Sequence, residues 1–503
     1  MTQPNVLFIQ VDQLTTNVLS AYGNPIAVTP NLDRLAEEGL VFENAYCNYP
    51  LCSPSRASMA AGQLASRIGA YDNASEFPAS VPTYAHYMRA LGYQTCLSGK
   101  MHFIGPDQLH GFERRLTTDV YPSDFAWTPD WLVEGFHGAT DIRMLTVSGK
   151  SARNVQIDYD EDVAAKAVQF IYDVPRAEDD RPFFLQVSFT HPHDPYLCQP
   201  KHWDLYPDGV PPPRVALLDD ADNDPHSIRV LQQHGLKDAD IPDGLIQQAR
   251  RAYCGSVSFI DDKIGDLLHA LSQSGQAHNT VIVFTTDHGE MLGERGLWLK
   301  KTFFEGSTHI PLFIHAPGKV ESGRSKALCS LVDILPTFAG LAKENPDLGP
   351  NEDLDGHDVT TLPRDAWGDR SVLGELLCEG IKAPIFMIRR GAMKLIVSEG
   401  DPPMLFDVMN DPDEWINLAN NSANEDQFHA LLQEAAETWD SAKLSRDILS
   451  SQRRRKLINK ATETGTKPSW DHIPSDDGEH RYYRGKGNYN DWAFSHLQTK
   501  DAP

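Results

Sequence analysis

From Pro4 to Val11 the chain carries a short run rich in Val, Ile and Phe, the pattern of a buried strand. Thr29-Pro30-Asn31-Leu32 opens a helix, with Thr29 as N-cap, Pro30 at the first helical position and Gly39 closing it. Tyr93–Ser98, Pro182–Phe189 and Thr280–Thr286 read as further strands. Ahead of the last one, Tyr253, Val257, Ile260, Ile264 and Leu267 recur at helical spacing and predict a core-facing helix. Helices alternating with apolar strands predict the α/β class, with a largely parallel sheet covered on both faces.

Two stretches break the alternation. Residues 205–245 are rich in Pro and Asp and weakly periodic, and read as an excursion over the surface. Residues 343–370 hold Pro346, Gly349, Pro350, Gly356 and Pro363, and read as a linker into a smaller unit that starts near Ser371. After about residue 446, Arg453-Arg454-Arg455-Lys456 precedes a polar stretch with Trp470, Tyr482, Tyr483, Tyr489 and Trp492. The basic run reads as a subunit contact or a solvated helix face. These breaks divide the chain into a catalytic domain over 1–365, a smaller domain over 366–445 and a tail over 446–503.

Composition narrows the function. At 41% hydrophobic and 23% charged residues, disorder and fibre are excluded. A formal charge of −25 repels phosphate backbones, so no nucleic-acid partner is expected. No apolar run approaches the ~18 residues of a membrane helix, and MTQPNVLFIQVDQ lacks the basic and small-residue regions of a signal peptide. Seven scattered cysteines argue against a disulfide framework and for a reducing compartment, so a cytoplasmic enzyme is expected.

Four strand-like runs end in chemically capable residues: Asp12-Gln13, Lys100 with His102, His191 with His193, and Asp287-His288. In open α/β sheets ligands bind beyond the carboxyl ends of strands, so four such clusters can converge on one site. A fifth element is Leu51-Cys52-Ser53-Pro54-Ser55-Arg56. Ser53 can cap a helix and Pro54 suits its first turn, which puts Cys52 at a helix N-terminus, where an anion is favoured.

Cys52-Ser53-Pro54-Ser55-Arg56 resembles the first signature of the sulfatase family, whose cysteine is oxidised after translation to Cα-formylglycine. Gly92-Tyr93-Gln94-Thr95 leading to Gly99-Lys100-Met101-His102 resembles the second. The likeness runs from Pro4-Asn5-Val6 through Thr285-Thr286-Asp287-His288-Gly289. It implies an alkaline-phosphatase-like α/β/α sandwich with a large mixed, mostly parallel sheet, and a smaller C-terminal α+β domain with an antiparallel sheet. By this resemblance Cys52, matured by a formylglycine-generating enzyme, is the nucleophile in hydrate form. Asp12, Gln13, Asp287 and His288 would hold one divalent cation together with an oxygen of residue 52. Arg56 would orient residue 52, and Lys100 and Lys300 would bind the sulfate oxygens. Asp287 would accept the hydroxyl proton, His102 would serve the second half-reaction and His193 would face the leaving group. An unmodified Ser or Cys would be stranded as a stable ester or thiosulfate, whereas the hydrate can expel sulfate and return to the aldehyde.

Gln13 and His288 stand where many sulfatases have Asp and Asn. Calcium is the first expectation, with manganese or magnesium open. The related phosphonate monoester hydrolases share this Gln and His, so a phosphonate or phosphate ester hydrolase, or an aryl or alkyl sulfatase, is the alternative. Lys100 and His102 favour sulfate. A chain never matured at residue 52 would bind substrate and turn over little.

Met101–Glu113, Ser188–Tyr196 and Phe303–Ser307 resemble the choline sulfatase branch of the family, as do Glu379-Gly380 ahead of Ala383-Pro384 and the polar tail. The branch implies choline sulfate as substrate and a homo-oligomer, dimer or tetramer, held partly by the tail. A trimethylammonium group donates no hydrogen bond, so aromatic faces and carboxylates suit it. Trp127 matches the branch's aromatic wall, and Glu379 and Asp491 match its carboxylates, with Asp491 reaching in from a neighbouring subunit. Asn73 matches a residue beside the sulfate and leaving-group oxygen.

Overall fold

Every side chain of β1 (Asn5–Val11) after its first is buried, and they alternate between two cores. The computed structural model describes residues 3–132, 140–342, 352–368, 370–378, 380–475 and 488–494. The next strands of the large domain are β2 (Leu40–Tyr46), β3 (Gln94–Gly99), β4 (Arg114–Arg115), β5 (Gly149–Lys150), β6 (Phe183–Ser188) and β7 (Leu197–Cys198). They are followed by β8 (Thr280–Thr286), β9 (Leu312–His315) and β10 (Gly323–Ser330). Eight of these form one sheet in the order β10-β2-β9-β8-β1-β6-β3-β4, while β5 and β7 pair as a separate ribbon. Only β9 runs antiparallel to its neighbours.

Leu7, Ile9 and Val11 face one core, shared with the helices Val155–Asp173 and Asp243–Gln273. Val6 and Phe8 face the other, shared with Tyr84–Ala90 and Ile334–Ala342. A strand buried on both faces needs this two-sided cover, which explains its largely apolar run. The expected helix around Tyr253 is the 31-residue Asp243–Gln273. A second sheet, β11 (Ser371–Leu376), β12 (Ile385–Arg390), β13 (Met393–Ser398) and β14 (Asp401–Asp407), is an antiparallel meander. Trp439 stacks on its Phe386 at 4.4 Å, and Lys394 anchors it to the large domain through Phe303 O and Glu305.

Three readings of the chain need correction. Residues 205–245 are not a simple surface excursion. They contain the helix Pro225–Gln233, bury Val210, Val215 and Leu236, and dock on Glu294 through the Val215 N–H. The described part of the linker, 352–368, packs against the large domain. Asp355 accepts from Leu64 N, His357 N donates to Asp333, and Val359 is buried; residues 343–351 lie outside the described residues. The basic run is not wholly solvated, because Arg455 is buried against Asp72 of its own chain.

Candidate active site

Four neighbouring parallel strands deliver the site. β1 ends into Asp12 and Gln13, β3 into Lys100, β6 into the His191–His193 loop and β8 into Asp287 and His288. Being parallel, they place these residues along one edge of the sheet. Gly99 lets β3 turn inward: its φ is +116°, and a Cβ there would lie 1.9 Å from Ser188 O.

The helix Cys52–Ala61 approaches this edge end-on and is entirely buried. It starts two residues earlier than the capping pattern suggested. Leu51 holds the N-cap position and cannot cap with its side chain, Cys52 is the first helical residue, and Ser53 lies inside the helix. The missing cap is supplied from elsewhere: the Ser53 N–H donates to Asn73 Oδ1 at 3.0 Å. Gly62, with φ +65°, ends the helix.

Arg56, one turn along, reaches back into the site. Its Nε donates to Asp287 Oδ2 and its Nη2 to Asp12 Oδ2, both at 2.8 Å. Its Nη1 donates to Lys100 O and Ser188 Oγ, both at 2.8 Å. A planar fork with this many fixed donors can bind two carboxylates and a strand end at once. Lys100 Nζ adds a contact of 2.5 Å to Asp12 Oδ2. Both carboxylates therefore use one oxygen for cations, while Asp12 Oδ1 lies 3.8 Å from Cys52 Sγ.

Oxygens of Asp12 and Asp287, Nε2 of His288 and Sγ of Cys52 lie within 4.8 Å of one another, all buried. His288 Nδ1 stands 3.0 Å from Gly289 O. A carbonyl only accepts, so Nδ1 carries the hydrogen and Nε2 presents a lone pair to the cluster. Two carboxylates, an imidazole lone pair and a fourth side chain fit one divalent cation.

The electrostatics follow from burial and charge. Burial works against the Cys52 thiolate, but the neighbouring Lys100 and Lys300 charges help to outweigh it and hold the thiol well below its ordinary range. Burial works the same way on Asp12, and Lys100 and Arg56 bring it below the usual carboxylate range. Asp287 stays above that range, since burial exceeds the help from Arg56. Burial lowers His102.

Gln13 lies at the site with its flip fixed: Nε2 donates to Glu290 Oε2 at 2.5 Å, and Oε1 accepts from Lys300 Nζ. Lys300 Nζ is also 2.9 Å from Nε2 of His193, whose Nδ1 faces Asp194 O at 2.7 Å. His191 is turned away into the core, 2.7 Å from Asp160. His102, with φ +56°, takes its place through its N–H bond to Asp119 at 2.8 Å.

Outside this cluster opens a cavity of about 930 Å³ whose walls include Cys52, Asn73, Tyr121, Trp127, His193 and Lys300. Trp127 is 41% exposed and so is not a core residue. Glu379 lies outside the described residues. Asp491 is exposed on the helix Tyr489–Phe494 and is not among the described residues lining the cavity.

Sequence reading missed Tyr121, Asp119 and Glu290. Tyr121 packs under Lys100 Nζ at 4.3 Å and against Trp127 at 5.2 Å. None of the three belongs to a signature run. Only Glu290, three residues after Asp287, stood close enough to a motif to be noticed.

The sulfatase family model matches residues 4–344, and a second model, the choline sulfatase enzyme C terminal, matches residues 446–496. The chain is 40% identical over 500 residues to a choline-sulfatase of Rhizobium meliloti, covering 97% of this chain and 96% of that one. It is 30% identical to an arylsulfatase of Clostridium perfringens over 85% of this chain and 93% of the other. Among solved structures, the phosphonate monoester hydrolase of Agrobacterium radiobacter matches with a TM-score of 0.68 at 24% identity, over 86% of this chain and 95% of that one, a likeness of fold. With a family match over two thirds of its length and a relative aligned nearly end to end, the chain belongs to the sulfatase family.

Proposed function

We propose that the chain hydrolyses choline sulfate to choline and sulfate. The observation that carries this reading is one cavity that brings cationic groups and aromatic faces together. Lys300 and His193 line it beside Cys52, and Tyr121 and Trp127 give it aromatic faces. A zwitterion with an anionic ester and a trimethylammonium group suits such a cavity. The match to a choline-sulfatase over nearly the whole chain supports the same substrate.

Asp12, Asp287, His288, residue 52 and the Gln13 carboxamide would hold one divalent cation. When bound it would draw charge from the substrate oxygens and favour the ionised nucleophile. Formylglycine at residue 52 would supply a geminal diol: one hydroxyl would serve as nucleophile toward sulfur as the choline oxygen leaves, and loss of the other's proton would re-form the aldehyde and break the C–O bond to sulfate. Arg56 holds both carboxylates in register throughout. Lys100 and Lys300 bind the ester's anionic oxygens as charge redistributes among them. The Lys300–His193 contact keeps a proton at the cavity wall, available to the departing choline oxygen. Asp287 takes the proton of the attacking hydroxyl, and His102, kept neutral by burial, takes the proton of the second. Asn73 stands beside residue 52 to contact the bridging oxygen.

The same reading takes calcium as the ion, with manganese as the alternative that the His288 imidazole admits. It places Glu379 and Asp491 beside the substrate cation, the latter from a neighbouring copy in a homo-oligomer. It sets the protein in the cytoplasm after maturation by a formylglycine-generating enzyme. Seven free, buried cysteines suit that reducing compartment.

The test is kcat/KM for choline sulfate, an aryl sulfate and a phosphonate monoester, on protein whose peptide mass shows formylglycine at position 52. A preference for choline sulfate that falls at least tenfold in Trp127→Ala supports the reading. A preference for the aryl sulfate removes the choline assignment and keeps the sulfatase chemistry. A preference for the phosphonate makes Gln13 and His288 the better guide.

A further inference from the structure

The helix Ser441–Thr462 runs across the outside of the cavity wall, and its buried Arg455 grips Asp72 with two bonds, Nη1 to Oδ1 at 2.8 Å and Nη2 to Oδ2 at 2.7 Å. Asp72 has no exposure at all. The same carboxylate accepts the Ala74 N–H at 3.0 Å, closing a tight turn around Asn73. Asn73 in turn caps the helix that begins with Cys52.

The helix also holds the aromatic side of the cavity. Gln452 Oε1 accepts the Trp131 N–H at 3.2 Å, Arg455 Nη1 lies 3.4 Å from Thr128 Oγ1, and Lys456 pairs with Asp130. Thr128 follows Trp127 directly in the chain. Beyond the helix, Trp470 packs edge-on against Phe125, and Asp471 accepts from Ser123 Oγ at 2.9 Å.

We infer that Arg455 is a positioning residue for the reaction: from the C-terminal helix of the same chain, it sets both the Asn73 turn and the Trp127 wall against residue 52. It touches no reacting atom. Its fork binds Asp72 with both arms and also reaches Thr128, so one side chain ties the Asn73 turn to the segment that carries Trp127. This goes beyond the C-terminal family match, which assigns no residue, and beyond a tail contribution from a neighbouring subunit. It rests on the choline-sulfate reading only for the choice of substrate.

The experiment uses full-length matured protein and the variants Arg455→Lys and Arg455→Met. Two readouts are taken: kcat/KM for choline sulfate against 3,3-dimethylbutyl sulfate, its isostere with carbon in place of the ammonium nitrogen, and hydrogen exchange in residues 70–76 and 120–131. A residue that only adds stability would lower both substrates equally and leave their ratio alone. The expected result is a roughly tenfold fall in the choline-sulfate preference, with faster exchange in both segments and a melting temperature still above the assay range. An unchanged ratio with unchanged exchange in folded Arg455→Lys overturns the inference. Should Arg455→Met fail to fold, the lysine variant, which keeps the charge and loses the fork, decides alone. If wild type shows no preference for choline sulfate, the substrate assignment fails, and the exchange data still decide the role of Arg455.

Discussion

At the residue scale, the site depends on side chains whose orientation is fixed by a second side chain. Gln13 is the clearest case. A carboxamide can offer oxygen or nitrogen, and Glu290, as an acceptor, takes the nitrogen. The other oxygen of Glu290 already accepts from Leu292 N at 2.7 Å and Leu299 N at 2.6 Å, so the carboxylate has little freedom to turn. In Glu290→Gln the oxygen stays on those two N–H groups and an NH₂ group faces Gln13. Gln13 must then flip and give up its oxygen to satisfy it. We expect a 10- to 100-fold loss of cation affinity, measured by titrating metal into metal-free protein, with the fold intact by circular dichroism. An unchanged affinity would remove Gln13 from the ligand set.

At the element scale, strand ends and one helix start do the positioning. β3 must turn Lys100 into the cluster while staying hydrogen-bonded to β6, as the Lys100 N–H to Ser188 O bond of 2.9 Å shows. Only a residue without a side chain fits at Gly99, where φ is +116° and a Cβ would collide with Ser188 O. Gly99→Ala combines a strained φ with a backbone clash, so a destabilisation of about 3 kcal/mol or more is expected. Urea unfolding reads it directly, and a cost under about 1 kcal/mol would show that β3 can shift without penalty. The Cys52 helix teaches a related lesson. Its signature was legible, but its cap comes from Asn73, twenty residues on, because the local cap position holds Leu51.

At the scale of the whole molecule, burial of neutral histidines couples stability to pH. His110 is fully buried between Phe77 and Phe103, with ring centroids at 4.4 and 4.5 Å. Burial lowers it from 6.5 to about 4. His234, on the cavity wall, is likewise lowered by burial to about 4. A base depressed in the folded state gives its full stability above pH 6.5 and loses it as pH falls towards 4, because the unfolded chain takes the proton first. Between pH 7 and pH 5, His110 alone contributes a loss of about 2 kcal/mol. His110→Gln removes that share, so the stability gap between wild type and variant should narrow by this amount from pH 7 to pH 5 in paired urea titrations. A constant gap would mean that His110 takes up its proton in the folded protein as readily as in the unfolded one.

The sequence by itself determined the strands that carry the site, and the reason is periodicity. β1, β3, β6 and β8 are buried on both faces, so their runs carry no charge and the charged residues at their ends stand out. It also singled out Cys52 as the proposed nucleophile, because Cys52 and Arg56 sit one helical turn apart in a short run whose chemistry is dense. What only the tertiary structure decided lies in partnerships across long separations. Glu290 with Gln13, Asn73 with Ser53, Tyr121 with Lys100 and Arg455 with Asp72 are joined by folding, and no local pattern shows which residue meets which. The apparent linker and the Pro-rich excursion were misjudged for the same reason. Segments without periodicity can still be held, one hydrogen bond at a time, by residues such as Asp333 and Glu294 that the sequence shows only as charges. Local physics sets which groups the chain offers, and packing sets which of them meet.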